Sequence, residues 1–232
     1  RIRTLESEIA SNLVRTPYIR LLALPGINVV FAGDLAGEMG PISSYANANA
    51  ITGRSGLFPS RYQSDQTDCN GSILRQANRR LRAALMRIAD NLADHCDYYR
   101  GRVLADQALG MDKRAARIKV VNKFSRITIA CVGGDEPMRH PAFRKPDSIL
   151  EKLRIFHFGH NTPMDRILED LNTAVQQLPK YTRDHEAVVV AEVLKQQTSR
   201  KKDSVPIGEL LTAVLARLEI SSDDINENGD RP

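Results

Sequence analysis

The stretch ILRQANRRLRAALMRIADNL, Ile73 to Leu92, sets the reading of the whole chain. Leu74, Ala77, Leu81, Leu85, Ile88 and Leu92 recur every three or four residues, the period of an α-helix that buries one face. On such a helix Arg75, Arg79 and Arg82 share one flank, and Arg80 and Arg87 lie on the other. Asp and Glu are absent from 69 to 89, so these charges have no neighbouring acid. Three guanidiniums within two turns repel one another unless an anion lies between them. Nucleic-acid phosphate fits, because arginine holds it bidentately. A solvated helix face is the alternative.

The charge of the chain points the same way. Its 232 residues carry 33 Lys and Arg against 28 Asp and Glu, a net +5, with 42% hydrophobic and 26% charged residues. That is the composition of an ordinary globular protein. The charge is uneven: residues 54–126 hold fifteen basic and seven acidic groups, whereas 1–53 balance and 127–232 are slightly acidic. Cys69, Cys96 and Cys131 stand far apart, so neither a zinc knuckle nor a disulfide framework is expected, and the default compartment is the cytoplasm. No run approaches eighteen apolar residues and no signal peptide is recognisable, which excludes membrane and export classes.

Outward from the central helix, the expected architecture is mainly α. Ile2, Leu5 and Ile9 form a narrow stripe up to Pro17, suited to the end of a coiled coil or to a helix packed on a neighbour. The chain opens with this helix already under way and is expected to continue a preceding segment. Leu21 to Gly40 reads as a short apolar helix, a Pro25-Gly26 turn and a second helix through Val29, Ala32 and Leu35. Residues 41–72 lose periodicity and predict a long polar loop. A further helix is expected from Lys113 to about Cys131 on Ala116, Val120, Phe124 and Ile127. A Gly- and Pro-rich boundary follows, and then three or four more helices, including Met164–Leu178 and Pro206–Leu218.

Several motifs could carry chemistry. Leu24-Pro25-Gly26-Ile27 between two helices suits a hairpin in which Gly26 lets phosphate approach the backbone and the next helix offers free N–H groups. A corner that only packs is the alternative. Ser55, Ser60 and Ser64 alternate with Arg54 and Arg61 ahead of the arginine helix. No histidine or lysine nearby offers itself as a base for a serine, and a plain polar loop is the simpler reading. His157-x-x-His160 has metal-ligand spacing but lacks further ligands at fixed offsets.

Leu24-Pro25-Gly26-Ile27, Ser55-Gly56-Leu57-Phe58-Pro59-Ser60-Arg61-Tyr62-Gln63-Ser64 and Asn78-Arg79-Arg80-Leu81-Arg82-Ala83-Ala84-Leu85, in this order and spacing, resemble one family. It is the C-terminal domain of the insertion-sequence transposases of the one-ten, one-sixteen and nine-hundred-two group, and the resemblance covers roughly residues 1–130. It implies a DNA recombinase guided by a structured non-coding RNA, with DNA, that RNA and further copies of the chain as partners. Its serine nucleophile would be Ser64, and Gly26, Arg61, Arg75, Arg79 and Arg82 would contact nucleic acid. The family's metal-binding acids lie in a preceding domain. Mg²⁺ is therefore expected there and no cofactor is expected in this chain. Asp65 and Ala77 stand where the family carries glycines, so an inactive remnant is one alternative, and a non-catalytic nucleic-acid-binding helical domain is the other.

The resulting layout is a coiled-coil end over 1–20, a helix-hairpin-helix-like domain with a long polar loop over 21–132, and a linker over 133–148. A helical extension over 149–220 and a polar tail over 221–232 complete it.

Overall fold

The computed structural model describes residues 1–64, 67–73, 76–134, 140–143 and 147–179. The chain is mainly α-helical, as its periodicity predicts. Its helices are α1 (Ile2–Leu13), α2 (Val29–Met39), α3 (Ala48–Ser55), α4 (Arg79–His95), α5 (Asp97–Ala108), α6 (Lys113–Gly133), α7 (Asp147–Gly159) and α8 (Met164–Gln177). Two 3₁₀ segments, Pro17–Ala23 and Ile42–Ser44, flank α2.

The described residues of the expected long polar loop form helix and strand. Asn47 caps α3 by accepting from Ala50 N–H at 3.1 Å, and Gly56, at φ +65°, ends it. Neither signal depends on an apolar stripe, which is why periodicity alone misses this helix. Strands β1 (Pro59–Ser64) and β2 (Thr67–Ile73) then pair antiparallel, with Arg61 opposite Asn70 and Ser64 opposite Thr67. Pro59 stands at the first position of its strand, where a missing N–H is tolerated.

The segment Pro17–Ala23, expected as an α-helix from Leu21, is a 3₁₀ helix buried along its length from Tyr18 to Ala23. It contacts α1, α2, α6, α7 and α8, so five helices are assembled around seven residues. A lone arginine in this apolar run must find acceptors. Arg20 donates from Nε to the Gln177 carbonyl at 2.6 Å and from Nη1 to the carbonyls of Cys131 and Gly134, at the ends of α8 and α6. A cation there satisfies carbonyls left without intrahelical donors and complements both helix dipoles.

Around this spindle, α4 buries Leu81, Ala84, Leu85, Ile88, Ala89 and Leu92, and α6 buries Ala116, Val120, Val121, Phe124 and Cys131. Arg117, 8% exposed, reaches from α6 to Asp90 and Asp94 of α4, each at 3.3 Å. Ile149, Leu150 and Leu153 of α7 and Ile167 and Leu171 of α8 belong to the same core. The described part of the expected helical extension thus packs continuously with the preceding helices. The expected helix Pro206–Leu218 and the polar tail lie outside the described residues.

Two contacts fix the Leu22–Ile27 corner. Gly26 adopts φ +78°, and a β-carbon there would stand 2.7 Å from the Asn91 carbonyl oxygen and 3.1 Å from His95 Cβ. Lys152 of α7 donates from Nζ to the carbonyls of Leu22 (2.6 Å), Leu24 (2.6 Å) and Ile27 (2.9 Å).

Gly26→Ala combines left-handed strain with a backbone clash and should cost about 2 kcal/mol or more, seen in thermal unfolding as a fall in Tm of roughly 4–8 °C. Lys152→Met keeps the stem but strands the carbonyls of Leu22 and Ile27, while Leu24 keeps the Ile27 N–H at 3.4 Å. Urea titration should show a loss of about 2–3 kcal/mol, and an unchanged midpoint would mean that solvent replaces the ammonium freely.

Candidate nucleic-acid interface

Among the described residues expected to contact nucleic acid, Gly26 and Arg79 stand apart. Gly26 is pressed on the C-terminal end of α4, at Asn91 and His95, whereas Arg79 and Arg80 open the same helix. Twelve residues of helix separate Arg79 from Asn91, about 18 Å at 1.5 Å per residue. Asn28, just past the corner, accepts from Phe31 N–H at 2.8 Å and so caps α2 itself. What the corner visibly does with its glycine is packing.

The arginines of α4 divide by partner. Arg82 points inward and donates from Nε to the Ser55 carbonyl at 2.8 Å, closing the C-terminal end of α3. Arg87 pairs with Asp34 of α2. Arg79 and Arg80 are exposed and have no acidic partner among the described residues. The backbone beneath them is held firmly. Asn78 Oδ1 accepts from the N–H groups of Arg80 and Leu81 at 3.0 Å, its amide donates to Glu38 at 3.3 Å, and its backbone N–H bonds the Arg54 carbonyl at 2.9 Å. Arg61 lies in β1, three positions before Ser64, and Arg75 lies outside the described residues.

The same accounting extends to α5 and α6. From 76 to 134 there are five acids, and each has a role. Asp90 and Asp94 face Arg117, Asp97 pairs with Arg100, Asp106 with Lys119, and Asp112 caps α6. Arg79, Arg80, Arg102, Lys113, Arg114, Lys123 and Arg126 are left without an acidic partner among the described residues. The positive excess legible in the sequence is therefore not neutralised within this part of the fold.

The catalytic expectation is overturned. Ser64 ends β1 opposite Thr67 rather than standing in a long loop. Among the described residues no group of three or more His, Cys, Asp or Glu side chains is placed to hold a metal ion. Cys131 is buried, and burial pushes its thiol up to about 12, away from nucleophilic use. The described residues assemble no catalytic centre, which overturns the expected transposase reading, and what they form is a mainly α-helical, multi-helix domain. None of the described helices is long and apolar enough to cross a membrane.

Residues 19–104 match the model of the Transposase IS116/IS110/IS902 family. The match is partial, about a third of the chain, and runs from the buried 3₁₀ segment into α5. No curated protein matches the chain, and no solved structure does.

His157 and His160, spaced like metal ligands, serve packing instead. His157 is fully buried, its Nε2 3.4 Å from Asp170, which also accepts from Ser11 at 3.0 Å. His160 Nε2 lies 2.8 Å from Glu6 of α1, and its ring stacks on Phe156. Desolvation holds the His157 imidazole below its ordinary value of 6.5, with Asp170 opposing and His160 and Arg166 reinforcing.

The unfolded chain therefore takes up this proton first as the solution is acidified. Stability should fall as pH drops below about 6.5 and level off once the folded imidazole also titrates. Urea unfolding between pH 7.5 and 5 checks this: His157→Gln should flatten the dependence, and a slope unchanged in that variant would shift the effect to His140, which burial, Arg102 and Lys123 also depress.

Proposed function

We propose that this chain is a non-catalytic nucleic-acid-binding helical domain, related over residues 19–104 to the transposase family and gripping phosphate at the N-terminal end of α4. One observation carries the reading. Arg79 and Arg80 project from the first turn of a well-capped helix, exposed and without a described acidic partner. The positive end of the α4 dipole adds to their charge, so two guanidiniums and the helix end favour the same anion. Two lone cations on a soluble surface would gain little from each other, whereas a polyanion gains from both and releases its counterions.

Phosphate contacts of this kind hold position without reading sequence, because no base edge is involved. Both polymers implied by the resemblance, DNA and structured RNA, present the required phosphodiester. Arg82 stands apart from this role. Its contact with the end of α3 makes it a residue that shapes the platform, and Asn78 fixes where the two exposed arginines begin.

Fluorescence anisotropy with duplex DNA and with a stem-loop RNA, over 50–200 mM salt, tests the proposal. Log affinity should fall linearly with log salt, and Arg79→Ala with Arg80→Ala should reduce the slope by about two with Tm unchanged. Arg82→Ala should instead lower Tm. Salt-independent binding, or a double variant that matches the parent, would sink the reading.

A further inference from the structure

The turn Leu109–Asp112 joins α5 to α6, and the two helices pack side by side. Lys119 bonds Asp106 across them at 2.8 Å, which fixes their antiparallel register. One turn further along each helix, that register sets Lys123 against Arg102. His140 reports the result, since its imidazole is depressed by desolvation and then by both Arg102 and Lys123. Arg126 follows Lys123 on the outer face of α6, and Lys119, Lys123 and Arg126 stand at i, i+4 and i+7. Beyond Lys119, which Asp106 engages, Lys123 and Arg126 lie about 4.5 Å apart along the axis at 1.5 Å per residue, comparable to one nucleotide step of roughly 3.4 Å on one strand.

Arg102, Lys123 and Arg126 have no acidic partner among the described residues, and Asp106, one turn from Arg102 on α5, is already engaged by Lys119. Arg102 is held in place rather than swinging freely, because its guanidinium lies 4.8 Å over the Tyr98 ring, itself set edge-on to Tyr99 and His140. The upper face of Tyr98 is thus occupied by Arg102 and is not open to stack a base.

We propose that this ridge of Arg102, Lys123 and Arg126 is a second, sequence-independent contact surface for the sugar–phosphate backbone of a nucleic acid. It rests on the nucleic-acid reading above but uses residues separate from the α4 pair, and two of the three lie beyond the segment that matches the family model. An aromatic ring pre-orders one cation and a helical repeat spaces the others, so little side-chain freedom is lost when phosphates arrive.

The test uses the full chain, a 20-base-pair DNA duplex and a stem-loop RNA of equal charge as probes, and anisotropy over 50–200 mM salt. Lys123→Gln with Arg126→Gln should cut the salt exponent by about two and weaken binding at 50 mM salt by about tenfold, with the same Tm as the parent. Adding Arg102→Gln should lower the exponent further. The Arg79→Ala, Arg80→Ala variant runs in parallel. Binding lost there but intact in the ridge variants overturns the ridge and leaves the α4 reading standing. Binding lost only in the ridge variants supports the ridge and removes the α4 pair. A parent that binds neither probe overturns both. Loss confined to the DNA or to the RNA supports the ridge and identifies the polymer that lies on it.

Discussion

Backbone carbonyls at helix ends and at one tight corner, most of them beyond the reach of a backbone N–H, govern how this chain is put together. A 3₁₀ segment buried among five helices, a tight corner after it and several helix ends converge within a small volume. Each leaves oxygen atoms pointing into the protein, and burying them without donors would cost more than the packing around them returns. The solution recurs through the fold. Arg20 serves the ends of α6 and α8, Lys152 serves the corner, and Arg82 serves the end of α3. Long side chains bring cationic donors across the core to places where a helix or turn has exhausted its own.

This use of cations divides the basic residues into two populations with different consequences. Those that face inward close the fold, and their charge is matched by carbonyl dipoles or, for Arg117, by carboxylates. Arg79, Arg80, Arg102, Lys113, Arg114, Lys123 and Arg126 stand on α4, α5 and α6 with no acid described beside them, and their uncompensated charge is what a polyanion would meet. A mutation that removes charge from the first population acts on stability, and one from the second acts on association.

The sequence makes some of this readable. Helices α6 and α8 carry stripes at helical spacing, and their extents follow from that spacing to within a few residues, whereas the helix read from Ile73 begins only at Arg79, because Ile73 ends β2 and the Asn78 side chain caps the helix there. Helix α3 and the β1–β2 pair escape such a reading, since the helix rests on its caps and its packing against α6, and the strands are too polar to alternate visibly. Arg79 and Arg82 look alike in sequence, and only the position of Ser55 separates an exposed cation from one that caps a neighbouring helix. Arg20 had a legible signal, a single charge inside Tyr18-Ile19-Arg20-Leu21-Leu22, though its acceptors lie more than a hundred residues away. The Gly26 corner fits the sequence pattern of a phosphate-binding hairpin, and only the closeness of Asn91 reveals it as a joint.

The bonds that close the core reach unusually far along the chain. Arg20 and Gln177 are 157 residues apart, and Ser11 and Asp170 are 159 apart. During synthesis the N-terminal helices emerge long before α8 exists, at about 5–20 residues per second, so for many seconds Arg20 has neither its α8 acceptor nor the cover that α7 provides over the corner. The nascent chain in that interval holds a charged residue among apolar ones with its carbonyls open to water. Vectorial folding of this protein is thus a process that waits for its last described helix, and chaperone contact has its longest window on the segment that ends up most deeply enclosed.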